Sequence, residues 1–265
     1  MKKLILLLLL VFNYSCSYLP PTRELALSNV NFNWAKDSTK HYNYYYESNS
    51  ITSKYLDSTK YYYEKEFGDL LKYLGVLNYD KKLNLFMVDS NERMEQLIGI
   101  KTNGAANPKD GTVYNLFNQK IQSYGNHEIC HIIASSEWGE CKDAWIGEGL
   151  AVNSDGVWWL YELHSLANYL RNKGKLIPIK ELIENFHNYS EIITYPESGS
   201  FVKYIKEKYG LDLIKNLYRE GAIAFEKKLH KSTSDIEREW LNEIKKYECA
   251  NIRYEEKAIK YGVKF

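Results

Sequence analysis

Two histidines one helical turn apart are the clearest chemical signal in this sequence. Residues 127–131 read His-Glu-Ile-Cys-His. On an α-helix, His127 and His131 project from nearly the same side, where two imidazoles can share one metal ion. Glu128 projects beside them, where its carboxylate can act on water without binding the metal. The spacing predicts part of a zinc site, although two ordinary histidines on a helix are the alternative until a third ligand is found.

Glu148 is the candidate for that third ligand. It lies in the segment Trp-Ile-Gly-Glu-Gly-Leu-Ala (residues 145–151), which has the pattern of a helix start. Residues 132–147 separate it from the histidines, enough for the first helix to end, the chain to turn at Gly139, and a second helix to approach. Two imidazoles and one carboxylate leave a fourth tetrahedral position open, which is typical of catalytic rather than structural zinc.

The two motifs together resemble those of the gluzincin metallopeptidases, the clan that contains thermolysin and the zinc aminopeptidases. More closely, HEICH followed by WIGEGLA is similar to bacterial peptidase-MA-like domains. The resemblance covers most of the chain, and the motif pair is its specific part. It implies an α+β, zincin-like fold, with a cleft between a mixed-sheet N-terminal half and a mainly helical C-terminal half. It also implies Zn²⁺ bound by His127, His131 and Glu148, with Glu128 as general base and acid.

The resemblance extends to the group that stabilises an oxyanion. Residues 194–202 (TYPESGSFV) are similar to the segment from which a tyrosine hydroxyl does this in the clan, and they precede a predicted helix. Tyr195 is therefore the expected donor, and a tyrosine that only packs is the alternative, since the chain has 24 tyrosines. His187 is a second candidate donor. The remaining histidines are interpreted as ordinary residues: His41, His164 and His230.

Two features depart from the clan's pattern. Zinc aminopeptidases carry a Gly-x-Met-Glu-Asn motif whose glutamate binds the substrate's amino group, and the nearest stretch here, residues 104–107 (GAAN), lacks it. An endopeptidase or processing enzyme is therefore favoured over an aminopeptidase. Thermolysin-like enzymes also place an acidic residue one turn after the third ligand, where this chain has Val152. The candidates for orienting the imidazoles instead are Asp143, Asn153 and Asp155.

The beginning of the chain has the form of an export signal. Lys2 and Lys3 precede an unbroken apolar run over residues 4–12. That run is much shorter than the roughly 20 residues of a membrane-spanning helix, so it predicts a signal peptide over residues 1–15.

Cys16 follows the apolar run in a context that resembles a bacterial lipoprotein signal. Lipidation at Cys16 would make it the mature N-terminus, and a simple cleaved signal is the alternative. Residues 16–35, which include Pro20 and Pro21, are then expected to form a tether. Residues 36–265 are expected to form one metallopeptidase domain with two lobes. Either way we predict an exported protein, held at the cell envelope by its lipid if Cys16 is modified.

The elements that must position the motifs are predicted from periodicity and turn residues. Strands are expected over residues 41–47, 83–88 and 112–117, helices from Asp57 or Ser58 to Gly75 and over residues 92–98, and a loop over residues 103–111. From about residue 122 the pattern is helical, with a capping box at residues 234–237 and helix ends at Gly210 and Gly221. An extended substrate is expected to pair with an edge strand such as residues 112–117.

The nearly balanced charge argues against one class of function, nucleic-acid binding, and does not identify a chemistry. The 35 basic and 34 acidic residues give a net charge of +1, which argues against a nucleic-acid partner. Removal of residues 1–15 takes away two lysines and leaves 33 basic against 34 acidic residues, a net charge of −1.

Cys130 and Cys141 either form a disulfide or are both free and buried, with the second alternative slightly favoured, and Cys249 has no obvious partner.

These features predict a zinc-dependent peptide hydrolase, an endopeptidase that acts on peptide or protein substrates at the bacterial cell envelope. The alternative from another class is a catalytically inactive zincin-fold surface lipoprotein that binds peptide or glycan. Zinc-dependent hydrolysis of a non-peptide amide would use the same site on a different substrate.

Overall fold

The computed structural model describes residues 19–119 and 125–260. The predicted signal over residues 1–15 and the predicted lipidation site Cys16 lie outside the described residues. Within them, a mixed sheet occupies the N-terminal half and helices dominate the rest. The predicted α+β class and the order of its two halves are confirmed.

Seven strands form two sheets in the described ranges. They are β1 (Trp34–Ser38), β2 (Tyr42–Glu47), β3 (Leu83–Val88), β4 (Gly104–Asn107), β5 (Thr112–Leu116), β6 (Val157–Trp158) and β7 (Tyr161–Glu162).

Twelve α-helices occur in the same ranges, together with a 3₁₀ turn at Phe186–Asn188. They are α1 (Arg23–Ser28), α2 (Ile51–Leu74), α3 (Asn91–Ile98), α4 (His127–Trp138), α5 (Ala144–Asp155), α6 (Leu163–Asn172), α7 (Ile179–Asn185), α8 (Glu191–Tyr209), α9 (Leu211–Glu220), α10 (Ile223–Leu229), α11 (Thr233–Ile244) and α12 (Tyr254–Lys260). None of these helices is long and apolar enough to cross a membrane.

The main sheet has the strand order β1-β2-β3-β5-β4. β2, β3 and β5 are parallel neighbours, whereas β1 and β4 pair antiparallel at the two edges. Every residue of β3 is buried, as its continuous run of mostly apolar residues predicts for a central strand covered on both faces. The predicted strands over residues 41–47, 83–88 and 112–117 are confirmed to within a residue at either end.

The sheet edge beside the metal motif is β4, not β5. β5 pairs on both sides, so the expectation that residues 112–117 form the free edge is wrong. β4 lies inside the segment that was expected to be a loop, because Gly-Ala-Ala-Asn carries no strand propensity of its own and is held by pairing with β5. Helix α4 packs against this edge.

Helix α2 begins earlier than its capping residues suggest. Ser50 is its N-cap residue, and a non-helical backbone at Tyr55 (φ −113°) interrupts its first turns. Asp57 and Ser58, the predicted caps, instead lie on the exposed face of the helix. The helix ends as predicted at Gly75, whose φ of 63° is left-handed.

The segment expected to be a tether is folded from residue 19 onward. α1 packs on the outer face of the sheet, where Ala26 and Phe32 are buried in one cluster with Tyr45 and Phe86. The Pro-Pro pair indicated a linker, but apolar residues downstream of it find partners on the sheet. The prediction of a tether is therefore wrong for residues 19–35.

Glycines set the closest contact between helices in the C-terminal half. A Cβ atom on Gly149 of α5 would lie 2.7 Å from the carbonyl oxygen of Ser198 in α8, and one on Gly199 would lie 2.5 Å from Val152 Cγ1. Gly210 and Gly221 end α8 and α9 as predicted. The capping box of α11 uses Ser232 and Asp235, two residues before the predicted pair.

Candidate metal centre

Helices α4 and α5 bring the three predicted ligands together. The distances are 3.1 Å from His127 Nε2 to Glu148 Oε2, 3.4 Å from His131 Nε2 to Glu148 Oε2, and 3.3 Å between the two Nε2 atoms. α4 ends at Gly139, as predicted, and this turn lets α5 return to present Glu148. His127, His131 and Glu148 thus form one convergent group of ligand atoms.

These distances fit a metal ion. Nitrogen and oxygen ligands about 2.0–2.1 Å from a tetrahedral ion lie about 3.3–3.4 Å from one another, close to all three observed separations. The three side chains keep 20%, 21% and 21% of their surface exposed, so the group opens toward solvent on one side. The group of His127, His131 and Glu148 can therefore hold a metal ion with a position left open.

The electrostatics of the group favour a positive charge at its centre. Burial works against the imidazolium form of His127, but its hydrogen bond to Glu148 and the charge of Glu128 raise its pKa to about 9. Burial also works against the carboxylate form of Glu148, yet the two imidazoles hold its pKa well below its usual range. The site is therefore built around a carboxylate that attracts a cation.

Glu128 lies between α4 and the sheet edge. A Cβ atom on Gly104 would lie 2.6 Å from Glu128 Oε1, so a larger residue at position 104 would displace this carboxylate from its present place. Burial raises the pKa of Glu128 above its usual range. A carboxylate with a raised pKa beside a metal group is suited to accept and return a proton near neutral pH.

Tyr195 belongs to the same site. Its ring lies 6.0 Å from that of His127, nearly parallel to it, and Tyr195 lines the same hollow as the three candidate ligands. Burial and the nearby carboxylates raise the pKa of Tyr195, so the phenol stays protonated and remains a donor. Contrary to expectation, this residue lies within α8 rather than before a helix.

The other histidines lie elsewhere. His187 is exposed in the 3₁₀ turn, packed on Phe186, and it does not line the metal cleft. His41 pairs with Glu64. His164 is buried, with its Nδ1 2.8 Å from Ser200 Oγ.

Asp155 is the candidate best placed to act on the imidazoles of His127 and His131. Its Oδ1 accepts a hydrogen bond of 2.6 Å from the backbone N–H of Asn126, the N-cap residue of α4, and its charge raises the pKa of His127. Asn153 instead donates to the hydroxyl of Tyr73. The third candidate, Asp143, precedes α5 as its N-cap residue.

An open groove runs past His127, His131 and Glu148 on both sides. One hollow of about 530 Å³ contains the three ligands and extends past Pro20, Pro108 and Tyr218. A second of about 610 Å³ shares Gly104, His127, Glu128 and Tyr195 with the first, and extends past Trp158 and Trp159. The two hollows share these residues, so together they open the site on both sides.

The β6–β7 hairpin supplies a wall of the groove that no motif indicated. The ring of Trp158 lies 5.3 Å from that of Tyr195, and its Nε1 donates to Tyr254 Oη at 2.7 Å. Trp159 packs on the same Tyr254 ring at 5.2 Å. These residues carry no spacing signal in the sequence, because tertiary contacts with α8 and α12 place them.

The cysteines in the described ranges are free, as favoured over the disulfide. Burial raises the pKa of the Cys130 thiol, and burial raises that of Cys141 to about 12. Both thiols therefore stay protonated at neutral pH, although Cys141 lines the cleft. Cys249 lies near Asn172, whose Nδ2 is 3.2 Å from its Sγ.

The sequence matches no protein-family model and no curated protein. The fold and the site define an α+β protein with a His-His-Glu group that can hold a metal ion. Its chemistry must therefore be argued from the geometry of these residues.

Proposed function

We propose that this protein is a zinc-dependent peptide hydrolase, most simply an endopeptidase, exported and anchored by lipid at the cell envelope. The observation that carries the proposal is the tetrahedral spacing of His127, His131 and Glu148 in an open groove, with the carboxylate of Glu128 beside them.

The donor set supports zinc over other metals. Two imidazoles, each neutral once it binds a metal, and one carboxylate suit Zn²⁺, whereas Mg²⁺ and Ca²⁺ prefer oxygen ligands throughout. When bound, zinc would act as a Lewis acid that polarises the scissile carbonyl and lowers the pKa of water toward about 7.

The protein's own residues supply proton transfer and stabilisation of charge. Glu128 accepts a proton from the attacking water and then delivers it to the leaving amine, a role that its raised pKa supports. Tyr195 donates its hydroxyl hydrogen to the oxygen that becomes negative as the carbonyl is attacked.

The substrate is placed by the sheet edge. β4 lies at the end of the sheet, and Gly104, Ala105 and Ala106 line the groove. An extended peptide can add to this edge through backbone hydrogen bonds. The small side chains of β4 leave room for a bulky substrate, and no acidic residue of β4 is available to bind a free amino terminus. This favours cleavage within a chain.

The test is Glu128→Gln, which keeps the size of the side chain and removes its basic function. Hydrolysis of a peptide library by the mature protein should fall at least about 100-fold, the usual contribution of general acid–base catalysis, while zinc stays bound. Glu140→Gln is the matched control, because Glu140 lines the same groove but is exposed, in the turn between α4 and α5, and is not one of the three candidate ligands. Equal rates in all three proteins would refute the role of Glu128.

The paired indoles of Trp158 and Trp159 support one alternative, a surface lipoprotein that binds peptide or glycan without cleaving it. Indole faces beside polar side chains such as Asn103 and Asn115 are suited to hold an extended ligand. Stoichiometric zinc without cleavage of any peptide would favour this alternative.

A further inference from the structure

The N-terminal end of the described chain forms part of the metal groove. The carbonyl oxygen of Pro20 accepts a hydrogen bond of 2.6 Å from Asn107 Nδ2, and that of Pro21 accepts one of 2.8 Å from the Tyr114 hydroxyl. Asn107 lies in β4 and Tyr114 in β5, so the two prolines are tied to the sheet edge. Pro20 then lines the same hollow as the three metal ligands.

The residues that follow are fixed to the same face. The backbone N–H of Arg23 donates to Asp110 Oδ2 at 2.6 Å. Ala26 of α1 is buried, and its carbonyl oxygen accepts from Trp34 Nε1 at 3.2 Å. Residues 19–30 therefore cannot swing away from the groove as a tether would.

This attachment shortens the distance between the groove and the anchor. Cys16 precedes Pro20 by only four residues. An extended chain spans at most about 3.6 Å per residue, so Pro20 lies within about 14 Å of Cys16 whatever path the connecting residues take. A tether over residues 16–35 would have allowed a separation of up to about 70 Å.

The same segment exposes several large apolar side chains. Leu25 and Leu27, on either side of the buried Ala26, are 62% and 40% exposed, and Val30 is 95% exposed. Side chains of this kind suit the boundary between lipid headgroups and acyl chains. Arg23 and Glu24 lie 3.9 Å apart and add no net charge to the segment.

We propose that residues 19–30 seat the mouth of the metal groove on the lipid bilayer, so that the protein acts on polypeptide within about 15 Å of the membrane surface. The inference rests on the proposed function, including the anchor at Cys16. It adds the substrate class, which is the membrane-proximal part of a membrane-attached protein or peptide rather than a freely diffusing one.

The first test measures position and needs no catalysis. The full-length lipidated protein in phosphatidylethanolamine/phosphatidylglycerol vesicles is compared with a variant that carries a twenty-residue Gly/Ser spacer between Tyr18 and Leu19, together with Leu25→Ser and Leu27→Ser. The spacer spans about 25 Å on average.

In this test a donor dye on Pro108→Cys, beside the groove, reports energy transfer to a rhodamine headgroup lipid. The other accessible cysteines are removed by Cys141→Ser and Cys249→Ser. Transfer should fall at least twofold in the spacer variant. Equal transfer in the two proteins, or failure of the parent to bind the vesicles, would overturn the proposal.

The second test measures how far from the membrane surface the anchored protein can cleave a peptide. A peptide that the unanchored mature protein cleaves is attached to the same vesicles through three or twenty prolines, which hold it about 10 or 60 Å from the lipid. The parent should cleave the short form at least tenfold faster, and the spacer variant should cleave both equally. Both proteins should cleave the free peptide at one rate.

Equal cleavage of the two forms by the parent would contradict the placement. If the unanchored mature protein cleaves no peptide, so that no such substrate can be chosen, the proposed function is refuted instead, and the energy-transfer result decides the placement alone.

Discussion

Gly149→Ala tests whether the close approach of α5 and α8 builds the metal centre. The added Cβ would lie 2.7 Å from both the Ser198 carbonyl oxygen and Val202 Cγ2, whereas ordinary contacts begin at 3.4 Å. The helices must therefore separate by about 0.7 Å, which is the difference between those two distances. Backbone cannot move aside as a flexible side chain can, so the overpacking should cost about 1–3 kcal/mol.

The matched control is Gly68→Ala in α2. A Cβ atom there meets nothing within 4 Å, so the variant gains only the helix propensity of alanine, about 1 kcal/mol. Gly149→Ala receives the same gain together with the overpacking cost. Urea unfolding of the two variants, followed by circular dichroism, should therefore show Gly149→Ala to be less stable than Gly68→Ala by about 1–3 kcal/mol.

The same displacement should reach the site. α5 carries Glu148, and α8 carries Tyr195, whose ring lies 6.0 Å from that of His127. A displacement approaching 1 Å can cost up to about 100-fold in rate, so Gly149→Ala should bind zinc more weakly and hydrolyse peptides more slowly. A variant as stable and as active as Gly68→Ala would refute the argument that this contact positions the site.

Three further predictions concern pH, backbone strain and the oxyanion. Burial lowers the pKa of His164 to about 4, below its ordinary value of 6.5. As the pH falls, the unfolded chain therefore binds a proton at this histidine before the folded chain does. The free energy of unfolding should decrease as the pH falls from about 6.5 to about 4. His164→Asn, which can keep the contact with Ser200, should remove up to about 3 kcal/mol of that dependence in urea unfolding. Leu160→Gly should stabilise the hairpin by about 1 kcal/mol in thermal unfolding, since Leu160 is 86% exposed with a φ of 71°. Tyr195→Phe should slow hydrolysis about 10–1,000-fold and leave zinc affinity unchanged.

Each of these predictions has a contrary outcome. Parallel stability curves for His164→Asn and the parent would mean that His164 does not titrate in this range. A less stable Leu160→Gly protein would show that the left-handed turn is not strained. A Tyr195→Phe variant that loses zinc would give the tyrosine a structural role instead.

The elements that the sequence predicted best are those with strong local signals. β3 is a run of apolar residues bounded by polar ones, and Gly75, Gly210 and Gly221 mark helix ends because glycine tolerates the backbone conformations found there. β4 was missed because its four small residues become a strand only through pairing with β5. α1 was missed because its packing on the sheet depends on residues far along the chain.

In the candidate site, too, features with a local sequence signal were predicted and features that depend on tertiary contacts were not. The spacing of His127, His131 and Glu148 follows from one helical turn and one helix–turn–helix connection, so the sequence predicts it. The role of Gly104 beside Glu128 and the choice of Asp155 over Asn153 depend on how separate elements meet, and no local pattern carries that information.

The most direct test of the central claim is restoration of peptide cleavage by zinc. The mature protein is stripped of metal with a chelator, and zinc is then added back stepwise while cleavage of a peptide library is followed. Cleavage should rise with zinc up to one equivalent per chain and stop rising there, and Glu148→Ala should not recover it. Cleavage that survives the chelator, or one bound equivalent of zinc without cleavage of any peptide, would contradict a zinc-dependent peptidase.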